Sequence, residues 1–129
     1  MGSLFMRNDV LEIAILSKIL DYCEAIHETM DLFGYDEEDF VNNRTYQNSC
    51  SFALLQIGEA IKRMPFIITD DHPEVDWSGA ARLRDVIAHR YDAIDVSMIW
   101  KVIAEDIPIL QSQCTNILRS VEAKLAGSE

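Results

Sequence analysis

Residues 9–33 read DVLEIAILSKILDYCEAIHETMDLF, and this run decides the fold. Apolar side chains recur at three- and four-residue steps, at Val10, Ile13, Leu16, Leu20, Cys23, Ile26, Met30 and Phe33. That is the period of an α-helix, not the two-residue alternation of a strand. Ile15, Ile19 and Tyr22 widen the stripe beyond one face, so this helix must pack against more than one neighbour. Asn8 or Asp9 is suited to cap its start, and Gly34 to end it.

Working outward, the same period returns along the chain. Gly34 to Asn43 is a polar connection with room for one short turn at 36–41. A second helix fits Arg44 to Met64, with Cys50, Ala53, Leu54, Ile57, Ala60 and Ile61 inward. Gly58 lies inside it, where glycine costs about 1 kcal/mol against alanine, and the compensation expected is close approach of another helix. Pro65 to Val75 reads as a loop. Asp76 can accept from the exposed amides of a third helix starting at Trp77 and running through Ala80, Leu83, Val86 and Ile87 to about His89. Tyr91 to Ile94 is a break, and Asp95 caps a fourth helix from Val96. Pro108 lacks a backbone donor and should kink or divide that helix near Asp106, before the pattern resumes from Ile109 to Leu125. The expectation is an all-α, single-domain bundle of four to five helices over residues 9–126, preceded by a flexible segment 1–8.

Composition supports this and excludes other classes. Five glycines and three prolines in 129 residues are too few for a turn-rich all-β fold. The cysteines, Cys23, Cys50 and Cys114, are far apart and form no CxxC or Cys/His cluster, so no metal site is expected. They read as buried small hydrophobes of a protein in the reducing cytoplasm. No apolar run approaches a membrane span, and the start lacks the pattern of a signal peptide. Walker, GxGxxG, GxSxG and HExxH motifs are absent, and no cofactor is expected. The net charge of −11 argues against a general nucleic-acid coat. The acids are clumped, however, at Asp36 to Asp39 and at Asp70, Asp71, Glu74 and Asp76. Arg82 to Tyr91 carries three arginines against Asp85 alone, a local basic site suited to weak, salt-sensitive contact with RNA.

That stretch, Arg84-Asp85-Val86-Ile87-Ala88-His89-Arg90-Tyr91, is the chemical candidate. Arginine clamps phosphate oxygens with a planar fork of donors, and histidine moves protons near neutral pH. Residues five apart on an ideal helix point about 140° from each other. Arg84 and His89 thus converge only if His89 sits on the last turn, or if a second copy completes the cleft. The structural alternative is that Arg84 pairs with Asp85 or with a glutamate of another helix, His89 answers the helix dipole, and Tyr91 is a core-edge aromatic. The remaining histidines read as a solvated residue (His27) and a member of an acidic loop (His72).

These residues resemble the HEPN superfamily, and within it the HepT-like branch of toxin ribonucleases. The superfamily signature is an arginine, a polar residue and a later histidine, as in Arg84-Asp85…His89; the branch extends it to RxxxxHxY, which Arg84, His89 and Tyr91 match. Ile57-Gly58-Glu59-Ala60 with Lys62-Arg63, Trp77 to Asp95, and Ile99-Trp100 through Pro108 resemble the surrounding blocks. The resemblance implies a HEPN-type helical bundle, a homodimer and a metal-independent endoribonuclease. It also implies Arg84 and His89 as catalytic residues with Asp85 in support, and an MntA-like minimal nucleotidyltransferase antitoxin as partner, with Tyr91 accepting AMP.

Overall fold

Four long helical rods build the core of the computed structural model, which describes residues 2–127. They are α1 (Gly2–Phe33), α3 (Arg44–Lys62), α5 (Trp77–His89) and a continuous rod of α6 (Val96–Lys101), a π-helical turn (Val102–Asp106) and α7 (Ile107–Gly127). Two short helices, α2 (Glu37–Val41) and α4 (Phe66–Asp71), and a 3₁₀ turn (Tyr91–Ala93) connect them. Among the described residues there is no strand. The all-α expectation therefore holds, with α3 packed between α1 and α5, and α1 also packed on α7.

Local chemistry explains most boundaries. Gly34 ends α1 with φ of 120°, a conformation that side chains disfavour, and its amide donates to the Met30 carbonyl at 2.8 Å. The Asn43 side chain accepts from the Tyr46 amide to start α3. The Asp76 carboxylate accepts from the Gly79 amide to start α5, and Asp95 accepts from Ser97 and Met98 to start α6. Near Pro108 the rod is not broken but rewound. The Ile107 amide donates five residues back, to Val102, and this wider turn accommodates a proline that can neither donate nor fit against a normal helical carbonyl.

Three expectations need correction. Helix α1 begins at Gly2, ahead of the cap expected at Asn8 or Asp9, because no breaker lies between Leu4 and Asp9. The segment 1–8 expected to be flexible overlaps this extension, and Met1 lies outside the described residues. The Pro65–Val75 loop contains α4, which Pro65 can start because its fixed φ of −58° suits a helix entrance. Only Ile68 of that helix is buried, so its apolar stripe is too short to register as a period. Finally, Val10 and Val86 are exposed rather than inward: α5 is covered chiefly by α3, leaving a stripe that buries Trp77 and Ile87 alone.

The inward face of α3 is as expected, with Cys50, Ala53, Leu54, Ile57, Ala60 and Ile61 all buried. An aromatic cluster closes one end. Phe40 meets Tyr46 edge-on at 4.9 Å, Trp100 lies 5.7 Å from Phe40, and the Tyr46 hydroxyl donates to the Gly34 carbonyl at 2.8 Å. This cluster pins α2 against α3 and α6.

Candidate active site

The site begins at the α3–α5 contact. A Cβ added to Gly58 would lie 2.2 Å from the Arg84 Cβ and 3.1 Å from the Ala80 carbonyl. Only a glycine lets α5 approach this closely, which is the close approach expected of Gly58. One residue on, Glu59 receives the Arg84 guanidinium: Nε faces the Glu59 Oε1, and both atoms are sealed from solvent. The Arg84 Nη1 donates to the Asp85 Oδ1 at 3.0 Å, and Lys62 Nζ donates to the same oxygen at 2.7 Å.

This network orients Arg84 without exhausting it. A guanidinium has five N–H donors; Nε faces Glu59 as an ion pair and one Nη1 hydrogen goes to Asp85, so the protein engages none of the other three. The hydrogen bond to Asp85 and the charge of Glu59 hold the guanidinium above its ordinary pKa. Lys62 first, and Arg84 second, hold the Asp85 carboxyl below its own. The patch is consequently less basic than the sequence of α5 implies. Glu59 arrives from α3, so Arg84 and Lys62 face Asp85 and Glu59 in equal number.

His89 ends α5 on the exposed side. Among the described residues its imidazole has no hydrogen-bond or ionic partner, and no bond joins it to Arg84. Tyr91 opens the 3₁₀ turn, is 51% exposed, and donates its hydroxyl to the Asn48 Oδ1 of α3. A cleft of ≈ 430 Å³ lies beside it, lined by Arg44, Asn48, Ser51, Tyr91 and Asp92 among others; Arg84 and His89 do not line it. The structure thus brings Arg84 together with Asp85, and Tyr91 together with Asn48, and leaves His89 open to solvent.

Glu59, Lys62 and Asn48 were missed as site residues. The signal available for the first two was their position around Gly58, where a close helix approach brings the flanking side chains against the facing helix. Asn48 carries no such signal. The other histidines lie elsewhere: His27 is exposed beside Asp31 at 3.6 Å, and His72 lies 3.3 Å from Glu74 and 3.8 Å from a buried Glu12. Among the described residues no group of three or more His, Cys, Asp or Glu side chains is placed to hold a metal ion, and no helix is long and apolar enough to cross a membrane.

The all-α bundle thus carries Arg84 and His89 on α5 and Tyr91 in the turn that follows it. A family model described as "Ribonuclease HepT-like" matches residues 19–117, and the chain belongs to that family. Among similar proteins is "Probable ribonuclease HepT" of Thermococcus cleftensis, 38% identical over 98 residues, 72% of this chain and 89% of that protein. A protein of Caldanaerobacter subterraneus that carries an RNase name is 34% identical over 104 residues, 81% of this chain and 91% of its own. A third, from Methanocaldococcus jannaschii and also with an RNase name, is 30% identical over 112 residues, 86% of this chain and 94% of its own. No solved structure matches significantly.

Proposed function

We propose that this chain is a metal-independent endoribonuclease, active as a homodimer in the cytoplasm, and the toxin of a toxin–antitoxin pair. One observation carries this: in a HepT-like domain, His89 is an exposed imidazole without a protein partner, while the guanidinium five residues earlier is fixed by Glu59 and Asp85. A proton carrier at the surface and a preoriented cation are what phosphodiester cleavage requires.

In this reaction His89 takes the proton of a ribose 2′-hydroxyl, and the freed oxygen bonds to the adjacent phosphorus. The bond from phosphorus to the 5′-oxygen breaks, and that oxygen takes a proton from the protonated His89 of a second copy. The products are a 2′,3′-cyclic phosphate and a 5′-hydroxyl end, and the need for a 2′-hydroxyl confines the reaction to RNA. Arg84 donates its remaining N–H groups to the phosphate oxygens as charge builds on them. Val86, 40% exposed, sits between Arg82 and His89 on one helical face, which supports a second copy covering this side of α5.

The proposed antitoxin is an MntA-like nucleotidyltransferase that moves AMP from ATP to the Tyr91 oxygen, releasing pyrophosphate. Tyr91 supports this by its exposure, and the added bulk and negative charge would oppose an RNA phosphate. Purified, unmodified dimer should cut RNA in the presence of a chelator, and His89→Ala and Arg84→Ala should not. Intact RNA with folded wild-type protein would sink the proposal. A second reading, a non-catalytic HEPN-like module that binds nucleotide or docks a nucleotidyltransferase, is favoured by the matched charges around Arg84. It predicts nucleotide or transferase binding with no cleavage.

A further inference from the structure

The cleft beside Tyr91 has a feature that packing does not explain. Ser51 is 5% exposed, lines the cleft, and its hydroxyl has no protein partner among the described residues. The hydroxyl is not sealed from solvent, so it opens onto the cleft and is left to water or to a ligand that enters there. Around it the lining is that of a small-molecule site: an apolar floor including Phe40 and Ile99, a few polar groups, and a volume of ≈ 430 Å³ within the usual range.

The polar groups select a chemistry. The Asn48 amide nitrogen is free, because only its oxygen is engaged by Tyr91. The half-exposed Tyr91 ring offers an aromatic face. Asp92 contributes an unpaired carboxylate, and Arg44 an unpaired guanidinium on an exposed residue. An unstacked base is recognised by stacking on an aromatic and by hydrogen bonds to its edge, a carboxylate accepts from an exocyclic amino group, and arginine takes the phosphate. The cleft also lies beside the chemistry, since two residues span at most about 7 Å of chain between His89 and Tyr91.

We propose that this cleft seats one nucleotide of the RNA strand, and that it prefers a base bearing an exocyclic amino group over uracil. Ser51 and Asn48 bind the base edge, Asp92 accepts from the amino group, and Arg44 meets a phosphate. This rests on the ribonuclease reading, because the occupant is a nucleotide next to the cleaved bond.

The test titrates cytidine and uridine 5′-monophosphate into the protein and follows backbone amide resonances. Cytidine monophosphate should shift Asn48, Ser51 and Tyr91, and bind several-fold tighter than uridine monophosphate. Ser51→Ala should weaken it about three- to tenfold, the effect of one lost hydrogen bond. Arg44→Gln, on an exposed residue where folding is not at stake, should weaken both nucleotides alike. Equal shifts from the two nucleotides, or no shifts at the cleft, would overturn the proposal. An RNA oligonucleotide that displaces cytidine monophosphate puts the strand in the cleft; one that leaves it bound overturns that assignment. Nucleotide binding without any RNA cleavage would keep the cleft and reject the ribonuclease reading, and cleavage without nucleotide binding would do the reverse.

Discussion

Gly58 and Arg84 meet across the α3–α5 contact so closely that a Cβ on Gly58 would lie 2.2 Å from the Arg84 Cβ and 2.9 Å from its Cγ. Gly58→Ala gains about 1 kcal/mol of helix propensity, but it forces the helices apart, which costs typically about 1–3 kcal/mol. The substitution should leave stability unchanged or lowered, never raised, and should reduce RNA cleavage by displacing Arg84. Urea unfolding and a cleavage assay check both. A more stable and fully active G58A would mean that the contact does not set the position of Arg84.

In the proposed mechanism Glu59 acts through Arg84, with which it pairs, and is a positioning residue. Glu59→Ala removes the carboxylate that faces the sealed Arg84 Nε, whereas Glu59→Gln keeps a carbonyl oxygen there. Cleavage should fall up to about 10²-fold in E59A, the effect of a group misplaced by about 1 Å, and recover partly in E59Q. The loss should appear in kcat more than in KM if Arg84 acts on the transition state. Equal loss in both variants would assign the role to the charge of Glu59 instead of its geometry.

His89 separates catalysis from stability. Its side chain is exposed and unpartnered, so His89→Ala should change stability by no more than about 0.5 kcal/mol. Removal of a general acid/base should still lower the cleavage rate about 10²- to 10⁴-fold. A thermal melt and a single-turnover assay suffice. A large loss of melting temperature would show that His89 has a structural role which the fold does not display.

Much of this was legible because it is local. Asp76 and Asp95 cap the helices they were expected to cap, and the α3 stripe is buried as its period requires. Pro108 marks the altered winding. The site was legible as residue types, and Arg84 pairs with Asp85 and with a glutamate of another helix as the structural alternative has it, but which glutamate was not legible. The Glu59–Arg84 pair depends on how two helices align, and the Asn48–Tyr91 bond joins residues far apart in the chain; neither leaves a period. Val86 misled for the opposite reason: an apolar residue at helical spacing says that a face can be covered, not that this chain covers it.

Buried Glu12 gives a pH dependence whose sign can be worked out. Burial is the main cause that holds its carboxyl above the ordinary 4.5; Asp9 and Asp71 push the same way, and His72 and Lys124 oppose. A raised folded-state pKa means stability that is fully present below 4.5 and lost as pH rises through the raised value. Asp85 runs the other way: its contribution is present above 3.8 and lost as pH falls through its lowered value. Glu12→Gln removes the first effect only. It should raise the urea midpoint at pH 7 relative to wild type and narrow the difference near pH 4. A midpoint lowered most at pH 7 would show that the charge of Glu12 stabilises the fold through His72.

The cysteines make the last test, because burial and chemistry agree there. Cys23, Cys50 and Cys114 are buried and unpaired, and burial pushes each thiol up to about 12. At pH 8 a thiol of that pKa is roughly one part in 10⁴ thiolate, the form that reacts. A thiol reagent should therefore label the native protein no faster than it unfolds, and label all three sites at once in denaturant. The native rate should rise with reagent concentration and level off at the unfolding rate, where labelling outpaces reclosing. Fast labelling of a single cysteine in folded protein would reveal local opening at that helix, at Cys50 in α3 or at Cys23 and Cys114 where α1 packs on α7.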